Sequence, residues 1–479
     1  MYDVAIIGAG VVGAMTAREL SRYRLKLCVL EKENDVAMGA SKANSGIVHA
    51  GFDAKTGSLK AKLNVAGAKM MEGICRELGV KYKRNGSLVV GFTEEDRLHI
   101  EKLLAQGEAN GVADLQFLEK DALKALEPNI SDNATCALYA PTAGIVCPYD
   151  LTVSALGNAM DNGAELMRNF AVSAIEAIPG GYRISAGEQA VEARFVVNCA
   201  GLYSDAVAGL VGDTSFTVHP RRGEYILLDK ECGDLVGCTI FRTPSKMGKG
   251  ILVTPTVDGN LLIGPTSVDM ADKENKDTTA QGFGEILAKA RENLTAVPFG
   301  KTITSFCGLR AAGDTGDFII NAPKPGFVNA AGIESPGLTA SPAIAAYIAE
   351  LLRAQGLELA ENPDFVAVRK SAHAFRDASL EEKNAMIREN PAYGRIICRC
   401  EGVTEGEILD AIRRNPGATD LDGVKRRTRA QMGRCQGGFC MPYITELLAR
   451  EQGIAYEAVT KCGGNSVINV GKTKGGNVQ

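Results

Sequence analysis

The chain has 479 residues, with 45% hydrophobic and 23% charged side chains, 54 glycines and a formal net charge of -4. This composition is typical of a globular protein with sizeable cores, and the length allows about three domains. The small net charge gives no electrostatic reason to expect nucleic acid or an anionic membrane surface as a partner, so we predict neither.

The sequence also indicates how the protein relates to membranes and to cellular compartments. No apolar run approaches the roughly 20 residues of a membrane-spanning helix, and the first residues lead into a strand rather than a signal peptide. The 13 cysteines are mostly scattered through apolar segments, which suits a reducing compartment. We therefore expect a cytoplasmic protein without a transmembrane segment, whose contact with a membrane would be peripheral and made through a partner.

The N-terminus carries a dinucleotide-binding pattern. A buried strand over residues 4–7 is followed at once by a glycine-rich turn and a helix. Gly8 permits the tight turn, Gly10 lets the backbone approach a pyrophosphate, and Gly13 lets the helix and the strand pack closely. A second apolar strand ends in Glu31, where a carboxylate can bind a ribose hydroxyl. These features in register predict a dinucleotide site at the helix N-terminus.

The middle of the chain interleaves further elements of the same kind. A loop of small residues over 40–51 allows a flat ring to approach the backbone, and residues 194–201 form a strand that ends in a glycine turn. Residues 215–305 are rich in short strands bounded by Gly, Pro and Asp, which indicates an antiparallel sheet. After a last strand, Ser341 and Pro342 are expected to open an apolar helix as N-cap and first residue.

Near the C-terminus, four cysteines form a C-x-C pair and a C-x4-C pair, and a helix-sized stretch separates the two pairs. These are Cys398, Cys400, Cys435 and Cys440. Their all-thiolate character favours a soft metal, and we predict an iron-sulfur cluster. A zinc site and an empty structural remnant are the alternatives.

Several stretches together resemble a known family. They are GAGVVG with Glu31, ANSGIVHAG, VVNCAGLYSD, RGEYILL, CGLRAAGD and AAGIESPGLTASPA. They are similar to the FAD-dependent dehydrogenases and oxidases built like D-amino-acid oxidase, and among these to the glycerol-3-phosphate and L-2-hydroxyglutarate dehydrogenases. The resemblance implies FAD rather than NAD. It also implies an α/β fold, with a Rossmann-like FAD-binding domain, an inserted antiparallel-sheet substrate domain and a small, mostly helical C-terminal iron-sulfur domain.

The resemblance also implies which residues contact the cofactor. Those expected at the ADP half are Gly8, Gly10, Gly13 and Glu31. Those expected near the pyrophosphate and the flavin ring are Ser41, Asn44, Ser45 and His49, and Ala200 and Gly201 are also expected to bind the cofactor. The segment expected at the polar edge of the ring contains Gly332, Gly337, Leu338 and Thr339, where a helix N-terminus would stabilise negative charge on a reduced flavin.

Residues 394–450 resemble the bacterioferritin-associated ferredoxin type of [2Fe-2S] domain. Domains of this type also stand at the end of the large subunit of anaerobic glycerol-3-phosphate dehydrogenases. The second cysteine pair is spaced by four residues, where free-standing ferredoxins of this type use two. Thr404 with Glu407 predicts a capping box at the start of its first helix.

The expected domain organisation follows from these segments. An FAD-dependent oxidoreductase domain covers 1–365, a helical connector 366–393, the cluster domain 394–450 and a C-terminal tail 451–479. Within the first of these, the FAD-binding parts are about 1–80, 145–215 and 305–365, and the substrate-domain parts are about 80–145 and 215–305.

Two residues are the best candidates for catalysis. Arg310 precedes the last nucleotide-binding strand, and its planar guanidinium suits bidentate binding of a carboxylate or phosphate. His49 lies in the flavin loop and is the candidate base, with a packing or flavin-contacting role, or covalent attachment of the flavin, as the alternatives. Further cations expected on the inserted sheet are Arg221, Arg222, Lys246 and Lys249, each of which could bind phosphate.

The predicted activity is oxidation of a small anionic hydroxy substrate, namely sn-glycerol 3-phosphate to dihydroxyacetone phosphate. Electrons would pass through FAD and the cluster to a second flavoprotein or electron-acceptor subunit. An L-2-hydroxyglutarate dehydrogenase is the alternative that RGEYILL favours. The chain could also be an electron-transfer subunit with catalysis elsewhere, whereas an oxygen-using oxidase has little use for a thiolate cluster.

Overall fold

A computed structural model describes residues 1–243 and 250–471. Its strands are β1 Tyr2–Ile7, β2 Leu27–Leu30, β3 Ile47–Val48, β4 Tyr82–Lys83, β5 Ser87–Gly91, β6 Gln116–Glu119, β7 Cys136–Ala140, β8 Gly144–Val146, β9 Glu165–Met167, β10 Ala174–Ile178, β11 Gly181–Ala186, β12 Gln189–Asn198, β13 Val218–Leu228, β14 Thr239–Arg242, β15 Leu252–Pro255, β16 Leu261–Gly264, β17 Val268–Asp269, β18 Thr302–Gly313, β19 Ile319–Lys324, β20 Phe327–Ala331, β21 Ile396–Cys398 and β22 Val403–Thr404.

The α-helices of the same residues lie between these strands and in the C-terminal part. They are α1 Val11–Leu20, α2 Leu59–Leu78, α3 Glu94–Ala109, α4 Lys120–Leu126, α5 Pro148–Asp161, α6 Ser204–Gly209, α7 Ala280–Asn293, α8 Gly337–Ala354, α9 Ala374–Asp377, α10 Leu380–Glu389, α11 Glu405–Arg413, α12 Leu421–Thr428 and α13 Met441–Gln452.

The first sheet carries the glycine-rich turn. In the described part of the chain it has eight strands, with β1 paired in parallel to β2 and β12, and with β9 and β20 continuing the parallel arrangement. Helices α1, α5 and α8 pack together against one face, where the buried apolar side chains of β1 and β2 form the largest core. Strands covered on both faces carry near-continuous apolar runs, as residues 4–7 of β1 show.

The second sheet forms a separate layer with its own core. It has nine strands within the described residues, and all its neighbouring pairs are antiparallel except β5 with β14. Strand β18 pairs with β13 along its length, from Thr302 opposite Leu228 to Gly313 opposite Val218. The expected boundary at 305 therefore lies inside a strand, and Arg310 belongs to the second sheet.

Helix α8 begins earlier than the sequence predicts. It starts at Gly337, so Ser341 and Pro342 lie inside it rather than at its first turn. A proline in a helix lacks the N–H that would bond to the carbonyl four residues back. Here the Ser341 hydroxyl donates to the Leu338 carbonyl over 2.8 Å and satisfies that oxygen. This local compensation explains why the Ser-Pro pair does not mark the helix start.

The C-terminal module is small and mostly helical. A hairpin of β21 and β22 packs with α11, α12 and α13 around a core that includes Ile408, Val424 and Ile444. The predicted capping box is present, since the Thr404 hydroxyl accepts from the Glu407 N–H and the Glu407 carboxylate accepts from the Thr404 N–H. The expected connector contains α9 and α10, but residues 366–373 are not helical.

The tail contacts the first sheet domain where it is described. Thr460 and Val467 form a β-bridge, and Gly463 packs against Asn34. Residues 472–479 of the expected tail lie outside the described residues. Within residues 1–243 and 250–471, no helix is both long enough and apolar enough to cross a bilayer.

Candidate functional site

A cavity of about 940 Å³ extends between the two sheets. At one end its wall includes Gly8, Gly10 and Glu31, and at the other it includes His49 and Arg310. The cavity therefore joins the glycine-rich turn, which the sequence assigns to a dinucleotide, to the residues that it assigns to catalysis.

The glycine-rich turn brings main chain unusually close to main chain. Gly8 has a φ of +104°, and a Cβ on it would lie 2.5 Å from the Cys199 carbonyl oxygen. A Cβ on Gly13 would lie 2.0 Å from the Gly8 carbonyl oxygen. Neither position has room for a side chain. Because both residues are glycines, the main chain can turn this tightly, and α1 can begin directly after the turn and present its first N–H groups to a phosphate. Gly13 supports the turn from behind and does not line the cavity.

Glu31 stands at the far end of the cavity. Its carboxylate accepts hydrogen bonds from the Ala9 N–H over 2.7 Å and from the Glu33 N–H over 3.0 Å. Burial raises the pKa of Glu31, and the two N–H groups oppose that rise. The carboxylate has acceptor capacity beyond these two bonds, which is what recognition of ribose hydroxyls requires.

The loop after β2 lies across the turn. The Ser41 hydroxyl oxygen accepts from the Val11 N–H over 2.8 Å, so it occupies the first turn of α1. Asn44 lines the cavity, but its amide bonds to the carbonyls of Ala40 and Ser41 and to the Gly46 N–H, which holds the loop in shape.

Three further predicted residues lie in this loop or across the cavity from it. The Ser45 hydroxyl lies 3.4 Å from the hydroxyl of Tyr225, which is on the second sheet. On the other side of the cavity, Ala200 and Gly201 line the wall after β12, and Gly201 has a φ of +57°. The loop and this wall therefore enclose the middle of the cavity from two sides.

His49 faces the start of α8. Its ring nitrogen Nε2 lies 3.3 Å from the Ser335 hydroxyl, and its ring centroid is 5.8 Å from that of Phe241. The His49 N–H donates to the buried Thr339 hydroxyl over 2.9 Å. These contacts fix both the backbone and the ring of His49, so its imidazole has a defined direction at the cavity wall.

Of the four predicted residues around the start of α8, two line the cavity and two lie behind its wall. Gly337 and Leu338 line the cavity at the first turn of the helix, where N–H groups lack partners within the helix. Gly332 and Thr339 lie behind this wall and do not line it. Gly332 has a φ of +62°, which lets the chain turn from β20 into the helix start.

Arg310 is largely buried at the cavity wall on β18. One terminal nitrogen donates to the Thr266 carbonyl over 2.9 Å, and the Nε atom is buried without a hydrogen-bond partner. Within the described ranges Arg310 forms no ion pair. Burial lowers the pKa of Arg310, yet a guanidinium stays charged in a protein. An anionic ligand would provide the direct ion-pair partner that Arg310 lacks among the described residues.

The sequence analysis missed Lys60, which lines the same end of the cavity. Its ammonium lies 3.0 Å from Glu334, and Arg221 approaches the same carboxylate at 3.8 Å. The N-cap residue Ser58 marks the start of α2 in the sequence. However, no local signal shows which way a lysine in the first turn will point.

The other predicted cations differ in placement. Arg221 lines the cavity and pairs with Asp269 over 2.6 Å, whereas Arg222 points to the other face of β13 and approaches Glu224 at 3.3 Å. Successive strand residues face opposite sides of a sheet, so only one of the two arginines can reach the cavity. Lys246 and Lys249 lie outside the described residues.

The four cysteines of the C-terminal module come together as two pairs. The sulfurs of Cys400 and Cys435 are 3.6 Å apart. Cys398 and Cys440 form the second pair, in which interaction with the Cys440 thiol lowers the pKa of Cys398 to about 6 and interaction with Cys398 raises the pKa of Cys440. Two thiolate pairs match the donor set of a two-iron cluster, in which each iron takes two protein ligands.

The described residues also contain no cluster of three or more His, Cys, Asp or Glu side chains arranged to hold one metal ion. The cysteine sulfurs thus stand as pairs rather than as one shell.

A chain of contacts joins the cavity loop to the cysteine module. Gly46 accepts from the Val146 N–H over 2.8 Å, and Val146 ends the strand before α5. At the start of α5 the Tyr149 hydroxyl lies 3.4 Å from the sulfur of Met432 and 3.4 Å from a nitrogen of Arg429. These contacts connect the cavity loop to the cysteine module through packed atoms. No local pattern in the sequence predicts them.

Known families match both parts of the chain. A model described as FAD dependent oxidoreductase matches residues 3–351, and a model of the BFD-like [2Fe-2S] binding domain matches residues 396–450. The first match covers the turn, the cavity and both sheets. The second contains all four cysteines.

Individual relatives extend the comparison. A glycerol 3-phosphate dehydrogenase from Caloramator mitchellensis is 47% identical over 99% of each chain. A solved L-alpha-glycerophosphate oxidase from Mycoplasma pneumoniae with FAD bound has a TM-score of 0.73 and 31% identity, and the match covers 77% of this chain and 98% of the oxidase. Human mitochondrial L-2-hydroxyglutarate dehydrogenase is 33% identical over 56% of this chain and 61% of its own length.

Proposed function

The chain belongs to the FAD-dependent oxidoreductase family, and from this premise we propose that it oxidises sn-glycerol 3-phosphate to dihydroxyacetone phosphate. Electrons then leave through the cluster of the C-terminal domain. The Caloramator mitchellensis relative is named for this substrate. Its match covers 99% of each chain and so includes both domains.

The observation that carries the proposal is the charge at the second-sheet end of the cavity. Arg310 lacks an ion-pair partner among the described residues, and Lys60 stands at the same wall. A phosphate in reach of both cations would accept charge-assisted hydrogen bonds, which are stronger than neutral ones, from Arg310 and from Lys60, whose ammonium is shared with Glu334. The substrate carbon chain would then extend toward His49.

In the proposed reaction, His49 accepts the proton of the C2 hydroxyl at Nε2. Ser335 lies against that nitrogen and holds the ring in place. Arg310 and Lys60 keep the phosphate fixed, so the C2–H bond is held in one orientation while the hydroxyl becomes a carbonyl. FAD bound in the cavity would supply the acceptor for the hydride of C2. Gly8, Gly10, Glu31 and the first turn of α8 are the parts that would hold it.

The four cysteines would hold the cluster that carries electrons away singly. The contacts from Gly46 through Val146 and Tyr149 to Met432 support this role, because they link the cavity loop to the module. The partner is a separate electron acceptor, which we propose to be a second flavoprotein or acceptor subunit.

Substrate-dependent bleaching tests the proposal. We would purify the chain anaerobically and follow the flavin absorbance after adding sn-glycerol 3-phosphate and, separately, L-2-hydroxyglutarate. We expect rapid bleaching by the phosphate substrate only. Bleaching by L-2-hydroxyglutarate alone would name the alternative that the human relative represents, and bleaching by neither, with FAD bound, would indicate another substrate or an electron-transfer subunit with catalysis elsewhere.

Lys60→Met tests the phosphate site. Loss of a charge-assisted hydrogen bond costs about 1.5–3 kcal/mol, so we expect KM for sn-glycerol 3-phosphate to rise about 10- to 150-fold. Lys62→Met is the matched control, because Lys62 is exposed on the same helix. Equal KM values for the two variants would remove Lys60 from the phosphate site.

A further inference from the structure

The loop of residues 31–37 follows β2 and is attached at both ends to the glycine-rich turn. At its start the Ala9 N–H donates to the Glu31 carboxylate over 2.7 Å, and at its end the Ala37 N–H donates to the Ala9 carbonyl over 3.0 Å. Residues 31–37, all of which the structure describes, form neither helix nor strand. Side-chain contacts therefore have a large part in fixing the shape of this loop.

The strongest of these contacts joins the loop to the cluster module. The carboxylate of Asp35 is fully buried, and its two oxygens accept from two nitrogens of Arg427 over 2.7 and 2.8 Å. Arg426 donates to the same carboxylate, and both arginines are buried in the last turn of α12. A bidentate pair of this kind is strong and directional, and separating buried charges is costly. The ion pair thus holds the loop against α12.

The residue before Asp35 binds the other end of the same helix. The Asn34 side-chain amide donates to Asp420, the N-cap residue of α12, which also accepts from the Gly423 N–H. The tail adds a tight contact, since a Cβ on Gly463 would lie 2.3 Å from the Asn34 Cγ. Two successive residues of the loop are therefore fixed by the cluster module and the tail that follows it.

Only a short piece of chain separates these contacts from the cavity. Asp35 lies four residues after Glu31, and between them the Glu33 N–H donates to the Glu31 carboxylate over 3.0 Å. Glu31 lines the cavity, whereas Asn34 and Asp35 do not. A shift of the main chain at Asp35 would move a hydrogen-bond donor of Glu31, so any effect of Asp35 on a ligand is indirect.

We propose that Asp35 is a positioning residue for FAD, because its ion pair with the docked module holds the loop of residues 31–37 in the shape that directs the Glu31 carboxylate to the ribose. FAD binding and docking of the module then reinforce each other, since both favour the same loop shape. The proposal rests on the proposed function in one respect, that Glu31 binds the ribose of FAD. It adds a role of the module in which its cysteines take no part.

This kind of coupling has to work in both directions. If docking of the module favours FAD binding, FAD binding favours docking by the same factor. Coupling between two sites typically changes an affinity by about 5- to 150-fold. Both directions can be measured on the full chain.

The first measurement is the Kd for FAD of the full chain with its cluster assembled. FAD is removed with concentrated bromide and titrated back anaerobically, with flavin fluorescence as the signal and no substrate present. We expect Asp35→Asn to raise the Kd about tenfold. Arg427→Met should act in the same direction, and Arg427→Lys should raise the Kd less, because an ammonium keeps the charge but cannot form the two parallel hydrogen bonds.

Two controls bracket this result. Asp258→Asn removes another carboxylate that pairs with an arginine of the module, Arg429, but Asp258 lies outside the loop and does not line the cavity. It should leave the Kd unchanged, which separates positioning from a general loss of stability. Glu31→Gln removes the proposed ribose contact itself and should raise the Kd.

The second measurement is hydrogen exchange of the α12 amides, with and without FAD. In the wild type, exchange over Leu421–Thr428 should be faster in the FAD-free chain than in the FAD-bound chain. In Asp35→Asn this difference should disappear. A purely structural ion pair would stabilise α12 equally with and without FAD.

Different results would overturn different parts of the proposal. A Kd that rises in Glu31→Gln but not in Asp35→Asn would remove the positioning role and leave the FAD site intact. An unchanged Kd in Glu31→Gln would overturn both this proposal and the assignment of Glu31. Equal increases in Asp35→Asn and Asp258→Asn would assign the effect to loosening of the module as a whole. If Asp35→Asn does not fold, the two Arg427 variants decide in the same way.

Discussion

The flavin cavity and the cluster module are built in opposite ways. At the turn before α1, main chain approaches main chain, and a Cβ on Gly8 or Gly13 would overlap a carbonyl oxygen. In the cluster module, side chains form both the site and its attachment. Four thiols form the site, and buried ion pairs bind the module to the flavoprotein part. The glycine-rich turn of the cavity therefore depends on the absence of side chains, whereas the cluster site depends on the thiol side chains that form it.

The largest expected effect separates the two sites. Cys435→Ser removes one ligand and leaves the cavity untouched, so the cluster absorbance should be lost. Electron delivery to an added one-electron acceptor such as flavodoxin should fall at least about 100-fold, while bleaching of the flavin by substrate stays near the wild-type rate. The same substitution at Cys462, which is exposed and lies outside the two pairs, is the control. Equal loss of both signals would show that the sites do not function separately.

The second prediction concerns the buried ion pairs under the module. Burial alone would raise the pKa of Asp35, but the charges and hydrogen bonds of Arg427 and Arg426 hold it below its usual value. Asp35→Asn leaves the two arginines without a counter-charge. The free energy of unfolding should therefore fall by about 3–5 kcal/mol, as denaturant titration would measure.

The control for this variant is Asp422→Asn, because Asp422 pairs with Lys461 near the surface, and such a pair contributes about 0–1 kcal/mol. The pH dependence has a defined sign. A depressed folded pKa stabilises the protein fully above the unfolded value of about 3.9, and the contribution of Asp35 is lost as the pH falls further. An Asp35→Asn variant as stable as wild type at neutral pH would contradict this account.

The third prediction concerns the glycine-rich turn of the flavin cavity. Gly13→Ala places a Cβ 2.0 Å from the Gly8 carbonyl oxygen, so the turn must shift. We expect a loss of stability of up to about 3 kcal/mol and weaker retention of FAD during dialysis. Gly73→Ala on α2 is the control, since no neighbouring atom lies within 4 Å of its added Cβ. If both variants retained FAD equally, the close approach at Gly13 would not matter for the cofactor.

Much of the architecture was predictable because it depends on local patterns. The order of strand, glycines, helix and acidic residue indicated the dinucleotide site, and the cysteine spacing indicated the metal module. The capping box of Thr404 and Glu407 formed as predicted, since it involves residues three apart. In contrast, the predicted start of α8 at Ser341 was wrong, because a side-chain hydrogen bond lets Pro342 sit inside the helix.

By itself the sequence determined the two cofactor signatures, the two kinds of sheet and the family to which the chain belongs. Only the tertiary structure decided which cations face the cavity. Lys60, Arg221 and Arg310 come from a helix and two strands far apart in the chain, and strand alternation turned Arg222 away. It also decided that Tyr149 meets Met432, because such contacts depend on how separate elements pack, and local patterns carry no information about that packing.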